Sequence, residues 1–368
     1  MSILLHEFHL GLGARFTQLN GEEIVSSYGD LAAEHAALSD GAGVLDLSCR
    51  SRLCVVGADR VRYLHGQVTN DIKKLAPGSG TYAALTTAKG KMECDLNIFC
   101  LADELLLDFE PGLTEKITQR LEKFIVADEV QIVDAAPLYG LLSVQGPRAA
   151  EALRTSAGLG GEGATPARPF DSVKISDPVL GDLYVANRPR LGTAGFDVYA
   201  PNAALAVVAG RLLAAVQAVG GRACGWAAFE MARIEAGMPR FGADMDETSL
   251  PHECGIESSA VSYSKGCYIG QEVINRIHSV GHVNRGLHGL WLADDLTALP
   301  VPGDKLYKAG QEVGYVTSAI KSRSLHANLA LGYVRRVAYQ IGSELTLRTA
   351  AGDSTAKIVE LPFAKSVR

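Results

Sequence analysis

The sequence predicts an α+β chain that ends in an all-β domain. Three observations carry this reading. Residues Thr81 to Thr87 and Met92 to Cys100 read as two strands joined by the turn AKGK, where Gly90 supplies the residue for a positive φ. Leu113, Ile117, Leu121 and Phe124 recur at helical spacing, so Pro111 to Phe124 reads as an amphipathic helix. From Arg285 onward the texture changes to short apolar alternations, RGLHGLWL, KLYKAG, EVGYVTSA and NLALGYV, cut by Gly, Asp and Ser. Hairpins mixed with helices fit antiparallel sheets layered with helices, and the last stretch fits a small barrel or sandwich. The boundary is placed near Asn284. This gives a region 1–284, built as two α+β lobes, and a C-terminal β domain 285–368.

The elements follow in order. A helix is expected around Gly29 to Ser39, a strand at Val44 to Ser48 and another at Arg52 to Val56. Ala58 to His65 reads as a helix, with Val61 and Leu64 on one face. Leu105 to Phe109, Val130 to Val133 and Leu141 to Val144 are apolar strands. Gln145 to Arg148, QGPR, opens a helix with proline suited to its first turn. Gly158 to Arg168 is a Gly-, Ala- and Pro-rich loop. Strands at Leu183 to Ala186 and Phe196 to Tyr199 precede a helix from Ala203 to Val219, stopped by Gly220 and Gly221. Ala227 to Ala236 is a further helix. Gly237 to His252 is a long polar connection of the kind that carries function.

Composition narrows the class. The chain has 368 residues, 47% of them hydrophobic, and a net charge of −6. It carries no global basic field for nucleic acid. Its seven cysteines are odd in number and form no CxxC pair. That excludes a disulfide scaffold and a zinc knuckle, and points to a reducing cytoplasm. The opening MSILLHEFHLGLGARF lacks the basic region of a signal peptide. The most apolar stretch, Ala203 to Val219, carries Arg211 and Gln217 and is too short to span a bilayer. A membrane partner is therefore not expected.

One stretch concentrates chemistry, SKGCYIGQEVINRI, Ser264 to Ile277. Gly266 and Gly270 permit tight turns. Gln271 to His278 reads as the start of a helix or a short extended arm. Cys267, next to Lys265 and near Arg276, is either a reactive thiol with a lowered pKa or a small buried hydrophobe. The nearby His252, His278, His282 and His288 match no common metal spacing.

The motif KGCYIGQE, Lys265-Gly266-Cys267-Tyr268-Ile269-Gly270-Gln271-Glu272, resembles the signature of the YgfZ-type folate-binding proteins. These are relatives of the glycine-cleavage aminomethyltransferase, the T-protein. The resemblance extends along the chain. VLDLS and VTNDI are similar to the family's DVS and VTND segments, with Cys49 where that family has histidine. GKMECDLNIF, residues 90–99, resembles its paired-aspartate segment, with Cys94 in place of the first aspartate and Asp95 matching the second. RPRLGTAGFDVYA, residues 188–200, resembles its TGEAGYE segment, with Thr193 and Asp197 in place of the glutamates. RIEAGMPRFGADMDE, residues 233–247, resembles its RLEAGM segment and the turn after it.

The resemblance implies an aminomethyltransferase-like folate-binding fold with a C-terminal β-barrel and tetrahydrofolate as cofactor. It implies Cys267 and Asp95 as catalytic groups, and Tyr82, Asp95, Arg233, Glu235, Arg240 and Phe241 as cofactor contacts. Arginine suits the folate glutamate tail because it grips carboxylate in a fork. Read from spacing alone, Asp95 is a carboxylate on a solvated strand face, and Tyr82 is either an ordinary half-buried strand tyrosine or a stacking or hydrogen-bonding ring. Three functions stay open. The cysteine form resembles the branch that supports iron–sulfur assembly or repair, with iron–sulfur client proteins as partners. The alternatives are a folate-dependent aminomethyl- or methyltransferase, and a non-catalytic folate-binding regulator.

Overall fold

The computed structural model describes residues 2–159 and 163–366. They form two compact units. The first is Met1–Leu85, Cys94–Phe229 and Ser264–Tyr268; the second is Thr86–Glu93, Glu230–Tyr263 and Ile269–Arg368. The second unit thus takes in Thr86–Glu93, Glu230–Tyr263 and the stretch from Ile269 onward, all of them beginning before residue 284.

The first unit holds two larger sheets. One has six strands in the order Ser172–Asp177, Gly181–Asn187, Gly195–Pro201, Tyr139–Gln145, Gly43–Asp46 and Arg222–Ala223. Its helix-covered face buries Leu142, Val144 and Val198 against Leu205, Leu212 and Val216 of helix Leu205–Ala218. The other sheet runs Ser79–Thr86, Met92–Cys100, Glu104–Phe109, Ser51–Val56 and Gln131–Asp134. Leu53, Val55, Leu96, Ile98, Leu105 and Leu107 form its core with Leu64 of helix Arg60–Gln67 and with Ile117 and Leu121 of helix Thr114–Glu122. Each such side chain contributes about 1.5–3 kcal/mol of burial.

The expected helices and strands are present, with ends shifted for local reasons. Helix Leu31–Asp40 starts after Asp30, whose carboxylate accepts from the Ala33 N–H as an N-cap. The predicted 111–124 helix begins only at Thr114. Residues 160–162 of the expected Gly158 to Arg168 loop lie outside the described residues. A hairpin of Arg15–Leu19 and Glu22–Ser27 was not expected. Its turn is Asn20-Gly21, with φ of 51° and 85°. Asn-Gly is the strongest short hairpin signal, and it stood in the sequence.

In the second unit the C-terminal strands close into a barrel in the order Arg285–Leu292, Ala327–Arg335, Gln311–Ser322, Lys305–Lys308, Glu344–Thr349 and Gly352–Val359. Leu290, Leu306, Val316, Val334, Leu347 and Ile358 fill it. Closure removes the exposed edges that six short strands would otherwise present.

Candidate functional site

Strand Met92–Cys100 positions the centre of the site. Its alternation sends Cys94, Leu96 and Ile98 into the apolar core and leaves Asp95 and Asn97 on the other face. Asp95 is half-buried, and Tyr82 of the neighbouring strand donates its hydroxyl to Asp95 Oδ2 at 2.8 Å. Burial, with Glu110 adding to it, holds the Asp95 carboxyl above the ordinary carboxylate range. The Cys94 thiol is buried and pushed well up by that burial, so it is no nucleophile.

Beside this pair lies a buried ionic lattice. Asp108, fully buried on strand Glu104–Phe109, accepts from Arg50 Nε at 2.7 Å, Arg190 Nη2 at 2.8 Å and Asn97 Nδ2 at 2.7 Å. Burial alone would raise its pKa, but Arg190 and Arg50 outweigh it and hold the carboxyl well below the usual range. Arg50 continues to Glu110 at 2.6 Å, and Arg190 Nη2 to Asp197 at 2.6 Å. Ser143 donates to Asp197 at 2.7 Å. Asn97 turns its oxygen to Arg188 Nε at 2.8 Å. The Arg188 guanidinium lies over the Phe170 ring at 5.0 Å, and burial followed by Arg190 pushes its pKa down to about 10. Tyr82, Asp95, Asn97 and Arg188 therefore make one polar face, fixed from behind by Asp108.

Sequence reasoning names Tyr82 and Asp95 and places Asn97 on the Asp95 face; it does not name Asp108, Arg188 or Arg190. A signal existed. Leu105 to Phe109 reads LLLDF, and an aspartate inside so apolar a strand requires a charged partner. Thr193 is half-buried, and its hydroxyl has no hydrogen-bond partner among the described residues. Asp197 serves the lattice.

The cysteine motif divides between the units after Tyr268. In the first unit Lys265 is buried and donates Nζ to the carbonyls of His65 at 2.5 Å, Val68 at 2.6 Å and Asn70 at 2.9 Å. The His65 and Val68 carbonyls end helix Arg60–Gln67, where a cation is favoured, and Asn70 follows its C-cap. Burial pulls the Lys265 pKa down to about 8. Its ammonium also lies 4.8 Å from the Tyr268 ring centroid, and Tyr268 is itself buried. Lys265 is thus an anchor for the motif. Cys267 is exposed; Cys54, Cys94, Cys100, Cys224 and Cys254 are buried, and Cys49 is intermediate. The buried-hydrophobe reading of Cys267 is excluded by this exposure. A thiol reagent on the native protein is expected to label one cysteine per chain rapidly, and Cys267→Ser to abolish that phase; rapid labelling that persists in the variant would contradict the exposure assignment.

Gly266 has no positive φ, and a side chain there would meet only His65 Nε2 at 3.6 Å, so its turn does not require glycine. Gly270 does. Its φ is 91°, and a Cβ would stand 2.5 Å from the Thr87 carbonyl. It starts helix Gln271–Val280, the helical alternative for this stretch, with Glu272 in the first turn. Thr86 donates to the Ile269 carbonyl at 2.7 Å.

The remaining candidates are spent inside the second unit. Arg233 is buried, bonds Asp244, Glu230 and Ser318, and so ties helix Trp226–Glu235 to the barrel strand Gln311–Ser322. Arg240 donates Nε to Glu230 at 3.0 Å. Glu235 accepts from Ser322, and Phe241 is buried with a bridge to Met245. The structure places none of these four as an open carboxylate receptor within its unit. No group of three or more His, Cys, Asp or Glu able to hold a metal occurs among the described residues, and no helix of theirs is long and apolar enough to cross a membrane.

Residues 5–265 match the GCVT N-terminal domain, and residues 285–365 match the glycine cleavage T-protein C-terminal barrel domain. A protein of Symbiobacterium thermophilum named aminomethyltransferase is 30% identical, over 98% of this chain and 96% of its own length. One of Shouchella clausii with the same name is 28% identical, over 99% and 98%. The crystal structure of glycine cleavage system aminomethyltransferase T from Bartonella henselae superimposes with a TM-score of 0.88 at 23% identity, covering 99% of this chain and 98% of that one. That last likeness concerns the fold. The names favour the transferase alternative over the iron–sulfur branch to which the cysteine motif pointed.

Proposed function

The chain belongs to the glycine cleavage T-protein family, and from that premise we propose that it is a tetrahydrofolate-dependent one-carbon transferase of the aminomethyltransferase type. The observation that supports this most is the Tyr82–Asp95 pair, a half-buried carboxyl with a raised pKa held by a hydroxyl 2.8 Å away. Tetrahydrofolate, the family's cofactor, supplies amine nitrogens that accept a one-carbon unit. The residues present fit such a group. Asp95 is an acceptor for a protonated ring or amine nitrogen, Tyr82 fixes one of its oxygens, and Arg188 over Phe170 offers a planar cation on the same face. In this reading Asp95 takes a proton at a carboxylate oxygen, and its raised pKa brings it nearer to working pH.

The test is a titration of the purified protein with tetrahydrofolate, followed by assay of ammonia release from an aminomethylated lipoyl carrier protein. Binding with release supports the proposal. Binding without release would move the reading to a folate-binding regulator, and no binding would end both.

A second reading rests on Cys267. Its exposure, on a segment anchored by Lys265, suits a folate-binding protein that supports iron–sulfur assembly or repair in a reducing cytoplasm. Iron–sulfur enzyme activities in a strain lacking the gene, restored by wild type but not by Cys267→Ala, would favour it. Unchanged activities in the deletion strain would remove it.

A further inference from the structure

Arg188 is a cation that no carboxylate among the described residues pairs with. It donates Nε to Asn97 Oδ1 at 2.8 Å and Nη1 to the Pro189 carbonyl at 3.3 Å. Asp197 and Asp108 lie near enough to favour its charge, but Arg190 and Arg50 take their oxygens, and burial, with Arg190 adding to it, outweighs them. Nη2 makes no hydrogen bond among the described residues, and Arg188 is only half-buried. Nη2 and the second Nη1 hydrogen therefore leave one edge of the fork open, the kind of edge that grips a carboxylate in two parallel bonds.

The ring beside it is held in a strained backbone. The Phe170 ring lies under the Arg188 guanidinium at 5.0 Å, and the Phe170 φ is 67°. That left-handed conformation is rare for a bulky side chain, and such strain collects at ligand clamps. The bonds that hold it run to the residue next to Arg188. The Phe170 N–H donates to the Asn187 carbonyl at 2.8 Å, the Asn187 N–H to the Asp171 carbonyl at 2.9 Å, and Asn187 Nδ2 to the Pro166 carbonyl at 2.9 Å. Phe99, buried on strand Met92–Cys100, packs its ring 6.0 Å from that of Phe170. Asp95, Asn97 and Phe99 alternate onto one face of that strand, so Asn97, which Arg188 holds, stands about 7 Å along it from Asp95.

An unpaired guanidinium drawn partly out of water is costly until an anion completes it. The arginines that the sequence marks for the folate glutamate tail are already engaged, Arg233 by Asp244 and Arg240 by Glu230. Tetrahydrofolate carries its glutamate carboxylates one aryl ring away from its amine nitrogens. We propose that Arg188, backed by Phe170, receives a glutamate carboxylate of tetrahydrofolate while the amine nitrogens face Asp95. This rests on the folate reading of the face and adds the residue that tells tetrahydrofolate from a pterin without a tail.

The test is calorimetric titration of the full chain with tetrahydrofolate and with tetrahydrobiopterin, which shares the reduced pterin and lacks the benzoylglutamate arm. Wild type is expected to bind tetrahydrofolate more tightly. Arg188→Gln is expected to weaken tetrahydrofolate about tenfold, the loss of a charged hydrogen-bond partner, and to leave tetrahydrobiopterin unchanged. Added salt should narrow the gap between wild type and variant. Arg188→Lys, which keeps the charge without the fork, should recover only part of the loss. Burial disfavours the arginine's charge, so the glutamine variant is expected to unfold no earlier than wild type. Phe170→Leu removes the ring from under the guanidinium and should weaken tetrahydrofolate in the same selective way, which keeps the test open if Arg188 variants fail to fold. Tetrahydrofolate affinity unmoved by these variants, or both ligands weakened alike, would overturn the proposal and leave the folate reading standing. Binding of neither ligand to the wild type would overturn both.

Discussion

Asp108→Ala is expected to destabilise the first unit by about 3–5 kcal/mol, the cost of breaking a buried ion pair from one side. The reason is the number of groups that converge on one carboxylate. Arg50, Arg190 and Asn97 all donate to it, and Asp108 is fully buried. Alanine would leave two guanidinium groups with part of their charge uncompensated away from water. Glu110 and Asp197 would still answer Arg50 and Arg190, which keeps the loss from growing further. The expected fall in Tm is on the order of 10 °C for a unit of this size. The pH dependence has a definite sign. Asp108 has a folded pKa below its unfolded value, so its stabilisation is complete above about pH 4 and is lost as pH falls through the folded value. Acid should therefore narrow the gap between wild type and variant. A variant within about 0.5 kcal/mol of wild type at neutral pH, the range of an ordinary surface change, would show that the lattice does not hold this unit together.

What the sequence disclosed follows from the range of the forces involved. Strands, helices and the barrel leave periodic apolar patterns, and those patterns were read to within a few residues. The Asn20-Gly21 hairpin was local too and was legible in principle. The lattice was different. Arg50, Asp108 and Arg190 are 58 and 82 residues apart in sequence, and nothing in their spacing announces the pairing. Only the burial of Asp108 in LLLDF hinted that a partner existed. Arg233 and Arg240 show the reverse case. Their family segment marked them as ligand contacts, but carboxylates within eleven residues, Glu230 and Asp244, engage them first. Lys265 stands beside Cys267 in sequence as an activating charge, but three carbonyls already hold its ammonium. Local sequence shows which charges cluster, and packing decides which of them remain available.

Asp95→Asn is expected to lower turnover by about 10²–10⁴-fold, the usual contribution of one general acid or base. It is expected to do so without loss of stability. Burial and Glu110 raise the Asp95 pKa, so the fold disfavours its ionised form. A raised carboxyl pKa contributes stability that is present below the unfolded value, near pH 4, and is lost as pH rises through the folded value. At neutral pH the asparagine variant escapes that cost and should be at least as stable as wild type, with the difference closing in acid. Activity and stability then move in opposite directions, which a merely structural aspartate would not produce. Tyr82→Phe supplies the second readout. The Tyr82 hydroxyl lowers the Asp95 pKa through its bond to Oδ2. Its removal should raise that pKa further, and the acidic limb of the rate profile should shift to higher pH while the maximal rate falls less than in Asp95→Asn. A limb that stays in place in Tyr82→Phe would mean that the proton is handled elsewhere. A fall in stability of Asp95→Asn equal to its fall in rate would mean that Asp95 holds the fold rather than the reaction.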